Sequence, residues 1–316
     1  MENIVKTSLL RETTTRLLQN KVSALALIII ALYLVAALSG EFYSFYCSLS
    51  NITPHYDIGD FAVRYQPPSL EHFFGTDYQG RDVFWRAFHG SRTAIKVGLM
   101  AAIISGVIGV SLGAAAGYFG GRTDSIVVWI YSSFASIPSL LFILSFALLL
   151  SKGYLYGPLL EAFNAFSAIL GSDPGMMAVY LGIGLTGWVS LCRVVRAETM
   201  KLREVAYIQA AQTLGYSSFR VITKHILPNV FHLVIIYTTM RFAYAIMTEV
   251  IVSYLGLGVQ MAPSWGVMIA DGQQRLWRGI WWEVGGATFF MFFLVLSLHL
   301  LGDALRDALD PRLRDR

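Results

Sequence analysis

Residues 97–121 read VGLMAAIISGVIGVSLGAAAGYFGG, 25 residues without one charged side chain. A helix rises about 1.5 Å per residue, so about 20 mostly apolar residues cross the hydrocarbon of a bilayer. Similar runs recur from Val22 to Gly40 (19 residues), Ser125 to Ser151 (27), Pro174 to Cys192 (19), Val250 to Ala270 (21) and Val284 to Gly302 (19). The composition agrees. Of 316 residues, 55% are hydrophobic and 14% charged, where a soluble domain carries about 25% charged residues. The 24 Lys and Arg and 20 Asp and Glu, net +4, are gathered between the apolar runs. This excludes a disordered chain and a nucleic-acid binder ruled by a basic patch, and it argues against a cytosolic globule. The pattern is that of an all-α polytopic membrane protein.

Charge asymmetry orients it. Lys6, Arg11, Arg16 and Lys21, with Arg122, the loop cations Arg193, Arg196, Lys201, Arg203, Arg220 and Lys224, and the tail cations Arg306, Arg312, Arg314 and Arg316, make 15 on one side. The other side has eight: Arg64, Arg81, Arg86, Arg92, Lys96, Lys152, Arg275 and Arg278. The positive-inside rule then puts both termini in the cytoplasm. That requires an even number of spans, expected as six near 22–40, 97–120, 125–151, 175–192, 228–249 and 280–302. The run 250–270 carries Gly256, Gly258, Pro263 and Gly266, breakers that suit a re-entrant or surface segment better than a straight helix. The first run has no clear small-x-small cleavage site after it and is expected to stay as a spanning helix. Cys47 and Cys192 fall on opposite faces in this topology, so no disulfide is expected.

The chain divides into 1–40 (cytoplasmic N-terminus and first span), 41–96 (a polar and aromatic extracytoplasmic loop or cap) and 97–316. The last part holds five spans, a cytoplasmic loop 193–225 and a tail 303–316. Gly109, Gly113, Gly117 and Gly121 recur every fourth residue, which lines one helix ridge and lets another backbone come close. Pro138 lies within the third span. It removes a backbone bond, frees the carbonyl of Phe134 and predicts a kink, for gating or as a static bend.

Signatures of chemistry are missing. No Gly-Lys dipeptide occurs, hence no phosphate-binding P-loop of the G-x-x-x-x-G-K type. There is no H-E-x-x-H, and the six histidines form no cluster with cysteine, so no metal site or catalytic residue is expected. Gly182, Gly184 and Gly187 spell G-x-G-x-x-G inside the fourth span. No strand precedes them, and helix packing explains them better than a dinucleotide.

The informative segment is the 33-residue loop Arg193 to His225. Apolar residues at helical spacing from Val194 to Leu214 predict a helix, with Gly215 capping its end and Ser217 or Ser218 starting a second short one. Pro228 opens the fifth span, where its missing N–H matters least. Ala210 and Ala211 leave one face almost without side-chain bulk, so that a partner groove can close over the backbone. An amphipathic helix on lipid headgroups is the alternative.

Residues Tyr207 to Gly215, YIQAAQTLG, followed by Ile226-Leu227-Pro228, resemble the "EAA" loop of binding-protein-dependent ABC importer permeases. Gln209 stands where that motif has Glu. Phe74-Gly75-Thr76-Asp77 with Gly80-Arg81-Asp82-Val83, Leu255 to Val259 with Pro263 to Gly266, and Gly302-Asp303, Leu305 to Asp307 and Asp310 to Arg312 resemble segments of the dipeptide/oligopeptide permease C-type subunits. The likeness runs from about Phe74 to the end.

The resemblance implies a type I ABC importer permease fold in the bacterial cytoplasmic (inner) membrane. It implies half of a pore for di- or oligopeptides and four kinds of neighbour: a homologous second permease subunit, two cytoplasmic ATPase subunits, an extracytoplasmic substrate-binding protein and the lipid bilayer, with no nucleic acid. ATP and Mg would sit on the ATPases, with no cofactor on this chain. Tyr207, Gln209, Ala210, Ala211, Leu214, Gly215, Leu227 and Pro228 would couple to an ATPase. Arg241 and Glu249, charges within the fifth span, are candidates for the translocation path, Arg241 toward a peptide carboxylate or an acid of the sister subunit. An ion-coupled secondary carrier is the alternative, but it would want several buried carboxylates and inverted repeats. An intramembrane enzyme is disfavoured by the missing metal spacings.

Overall fold

The computed structural model describes residues 15, 17–151, 154, 156–169, 172, 174–259 and 262–309. The named helices are α1 Lys21–Ser50, α2 Val83–Phe119, α3 Gly121–Ser136, α4 Ser139–Ser151, α5 Pro158–Ile169, α6 Pro174–Arg203, α7 Ala206–Thr213, α8 Ser218–Val221, α9 Leu227–Tyr254, α10 Trp265–Gln273 and α11 Trp282–Leu309, with a π turn at Ile222–Ile226 between α8 and α9. Among the described residues there is no strand, only an isolated bridge between Thr76 and Asp82. Five helices are long and apolar enough to cross a membrane, the run 218–254 counting as one, and six if the bent pair α3 and α4 is a single span.

That pair is bent by 87°. The expected kink at Pro138 is therefore a near right-angle break. With no N–H at 138, the freed Phe134 carbonyl accepts from Ile137 N at 3.3 Å instead, and the helix restarts at Ser139. In the expected re-entrant run, α9 ends at Tyr254, Gly256 turns at φ +76°, and the nine-residue α10 begins under a Ser264 cap.

Helices outrun the charge-free windows. Helix α1 continues past Glu41 to Ser50, and α2 begins well before Lys96, at Val83. Lys96 Nζ donates to Glu41 Oε1 at 2.7 Å, so the two charges that end their windows pair side by side. The segment expected as an irregular cap over 41–96 is irregular only over 51–82. Helix α6 likewise runs on to Arg203, with Arg196 paired to Asp124 of α3. A charge marks the edge of an apolar run, not the end of backbone hydrogen bonding.

The most extensive helix contact is α2 on α6. A Cβ placed on Gly109, Gly113 or Gly117 would lie 3.0, 2.7 or 2.6 Å from the carbonyl oxygens of Trp188, Cys192 and Arg196. Each α6 partner is also four residues from the next, so two backbones lie together along a shared ridge. Gly121 is not part of it: it opens α3 at φ +51° with open space beside it. Gly182, Gly184 and Gly187 point at three different neighbours, Ile143, Ile104 and Arg241, as packing requires. Cys47 and Cys192 are buried and free.

At the end of the bundle carrying 51–82, the Thr76 and Trp282 region is tied by polar bonds. Trp282 Nε1 donates to the Thr76 carbonyl at 3.0 Å and Trp265 Nε1 to that of Ala87 at 2.8 Å. Buried Asp77 accepts from Arg81 Nε at 2.7 Å and Arg86 Nη1 at 2.8 Å, while Arg275 holds Glu283. Asp271 of α10 faces a small cavity with Asp77, Arg86 and Glu283. Burial raises the Asp271 carboxyl above the usual carboxylate range, opposed by Arg86, Arg275 and Arg81.

Candidate coupling site

The opposite end of the bundle presents α7. Its sequence reads AYIQAAQT, and Ile208 and Ala211, three residues apart, share the inward face. Both are buried, and Ile208 belongs to a cluster with Ala114 and Tyr118 of α2, Leu191 and Val195 of α6, and Val221, Ile226 and Val230. The helix ends in a Schellman pattern: Gly215 N donates to Gln212 O and Tyr216 N to Ala211 O, with Gly215 at φ +81°. Ser217 then caps α8, accepting from Arg220 N. The expected second surface helix is in fact the first turn of the long run 218–254. The π turn joins α8 to α9, with Leu227 N donating to Ile222 O. One extra residue in that turn precedes Pro228, which cannot donate a helical hydrogen bond.

Each expected coupling residue has a definite place. Ala211 faces the bundle and Ala210 faces out. The pair does not share one bare face as expected, because neighbours on a helix lie about 100° apart. The small Ala211 lets α7 sit close to the bundle. Leu214 is 76% exposed and Phe219 77%, and Tyr207 and Tyr216 are also open, a solvent-facing apolar rim around the Gly215 turn. Gln209 is exposed and donates from Nε2 to the Glu204 carbonyl at 3.3 Å, a bond that Glu could not make. Leu227 is partly buried against the same cluster, and Leu227 and Pro228 form the base rather than the rim.

Two anchors were not legible in the loop itself. Gln212 Nε2 donates to the Tyr118 hydroxyl at 3.2 Å and Asn229 Nδ2 to the Tyr207 hydroxyl at 3.1 Å. They tie α7 to the end of α2 and the start of α9. Tyr118 is 94 residues from Gln212 in sequence, and no local pattern signals such a pair.

The two intramembrane charges diverge. Glu249 is 1% exposed, and its Oε1 accepts from Ser253 and Ser264 hydroxyls, each at 2.7 Å, so it holds the loop before α10 onto α9. Arg241 lies about 21 Å from Leu227 and 20 Å from Tyr254 along α9, near mid-length. Its guanidinium rests over the Tyr244 ring at 4.6 Å and against Gly187 of α6. Among the described residues it has no ion pair or hydrogen-bond partner. The structure does not bring the two charges together. No group of three or more His, Cys, Asp or Glu among the described residues could hold a metal.

Residues 109–315 match the family described as "Binding-protein-dependent transport system inner membrane component". The chain belongs to this family. It is 36% identical to the dipeptide transport system permease protein DppC of Bacillus subtilis over 95% of this chain and 84% of that protein. It is 34% identical to the oligopeptide transport system permease protein OppC of the same organism, covering 97% and 91%, and 31% identical to OppC of Haemophilus influenzae, covering 96% and 89%. Among solved structures, a chain of the MetNI methionine ABC transporter in inward-facing conformations overlays with a TM-score of 0.50 at 16% identity, over 72% of this chain and 98% of that one. That likeness concerns the fold.

The chain is thus a multi-pass, all-helical ABC permease of the dipeptide/oligopeptide type. The family match covers α7 and its anchors, Arg241 and Glu249, and begins inside α2, so the Asp77 cluster lies before it. The similarity to the relatives spans nearly the whole chain.

Proposed function

We propose that this chain is the transmembrane permease subunit of an ATP-driven, binding-protein-dependent importer of di- or oligopeptides in the bacterial cytoplasmic (inner) membrane. It forms half of the translocation pathway with a homologous second permease. A substrate-binding protein delivers solute outside, and two ATPase subunits inside carry ATP and Mg, so hydrolysis belongs to them and not to this chain. Both termini and α7 face the cytoplasm, in keeping with the charge bias.

The observation that carries this reading is the seating of α7. A helix buried on one face by Ile208 and Ala211, hydrogen-bonded to both α2 and α9, and rimmed outside by Leu214, Tyr216 and Phe219 is a handle for a docked partner. Nucleotide state can drive transport only if the ATPases hold one permease conformation more tightly than the other. A push on α7 passes through its anchors into two long helices. Of the in-membrane charges, Arg241 lines the path, and Glu249 keeps the α10 turn in place.

The test is Gly215→Trp in the complete complex in proteoliposomes with its binding protein. Gly215 sits at φ +81° with nothing within 4 Å of an added Cβ. The new side chain therefore starts in open space, while the left-handed backbone costs about 1 kcal/mol. ATP hydrolysis should persist while peptide uptake is lost. Undiminished, ATP-dependent peptide uptake refutes the assignment.

A further inference from the structure

Arg241 is a cation without an anion. The described residues of α2, α6 and α9 that surround it supply an aromatic face (Tyr244), a glycine (Gly187) and the hydroxyl of Ser105, which is itself spent on the Gly184 carbonyl at 3.0 Å. No carboxylate among the described residues reaches it; Asp124, Glu249 and Glu283 are each held by other partners. The side chain is half-buried rather than sealed. A charge at this depth persists where it faces a wet cavity or takes a counter-ion.

The third glycine of 182–187 makes room for it. A methyl group on Gly187 would fall inside contact distance of both Arg241 Nη2 and Ser105 Oγ. The guanidinium therefore lies close against α6 at Gly187, with the Tyr244 ring 4.6 Å from its carbon. Among the described residues no acceptor takes its N–H groups, and a guanidinium offers them in the fork that matches a carboxylate. Three helices that are distant in sequence thus build a preset, monovalent anion half-site midway along the bundle.

We propose that Arg241, positioned by Gly187 and Tyr244, receives the C-terminal carboxylate of the peptide as it passes, so that this chain reads the free acid end of its cargo. The proposal rests on the peptide-importer reading above. A carboxylate is the one anionic group every unmodified peptide carries whatever its side chains. A contact limited to that group suits a path that must accept many sequences.

The experiment compares uptake of one tripeptide as free acid and as C-terminal amide by the reconstituted complex with its binding protein. Arg241→Gln should cut free-acid uptake about tenfold or more, the fold-change of one lost charge-assisted contact, and leave amide uptake within about twofold. Gly187→Ala, which keeps the charge but displaces it, should shift the acid-to-amide ratio in the same direction. Arg241→Lys should retain part of the preference. Copurification of the partner subunits and retained ATP hydrolysis verify assembly. Equal losses for acid and amide overturn the proposal and point to an acidic residue of the sister subunit, and an unchanged ratio in both Arg241→Gln and Gly187→Ala also overturns it. If the unaltered complex takes up neither peptide, the importer reading itself fails, an outcome separate from both.

Discussion

Gly113→Ala is the sharpest test of how the bundle is held. A Cβ there would lie 2.7 Å from the Cys192 carbonyl oxygen, 2.9 Å from Val195 Cβ and 3.1 Å from Arg196 N. Non-bonded atoms of this kind rest at about 3.5 Å. The shortfall is about 0.8 Å, and two of the three obstacles are backbone, which cannot swing aside. Helices α2 and α6 must part by most of that distance. A gap of this size forfeits about a quarter to a half of each dispersion contact it opens, along the most extensive interface in the chain. The cost should be about 2 kcal/mol, within the range for overpacked cores. Gly106→Ala on the same helix is the control. Its Cβ meets nothing within 4 Å, so better helix propensity should make it neutral or stabilising by up to about 1 kcal/mol. Thermal unfolding of the purified complex, followed by tryptophan fluorescence, should separate the two by about 4 to 12 °C on the scaling for large domains. If Gly113→Ala melts with Gly106→Ala, the close α2–α6 packing is refuted.

Two further outcomes concern the other end. Asp77→Asn should lower the stability of the complex by about 3 kcal/mol or more, because Arg81 and Arg86 lose the one carboxylate they share; the measurement is folded yield and melting temperature, and unchanged values would count against the cluster. Burial raises the Asp271 carboxyl, so folding favours its protonated form. Its contribution is then fully present below the ordinary value of 3.8 and is lost as pH rises through the raised one. Asp271→Asn should flatten that part of the melting-temperature profile, and an identical slope in both proteins would contradict the burial argument.

Much of this was legible from local pattern. Charge-free runs of 19 to 27 residues announced long apolar helices, because a bilayer sets a length that composition must meet. The glycine every fourth residue announced a close helix contact, and the Gly256 to Gly266 breakers announced a turn instead of a span. The end of α7 at Gly215 followed from helical spacing, but its start did not, since the helix expected from Val194 to Leu214 breaks between Arg203 and Ala206.

What the tertiary structure decided concerns pairs far apart in sequence. Helices ran beyond their apolar windows because Glu41 meets Lys96 and Asp124 meets Arg196, and a satisfied charge need not end a helix. Ala210 and Ala211 look alike in sequence, yet only Ala211 is covered, since neighbours on a helix point about 100° apart and only one of the two faces the bundle. Glu249 and Arg241 look equally exceptional within one apolar run, yet two serines satisfy the first while the second is left open by a glycine on another helix. Periodicity tells which face of a helix is apolar. It does not tell which distant side chain stands opposite, and hydrogen bonds and ion pairs depend on that.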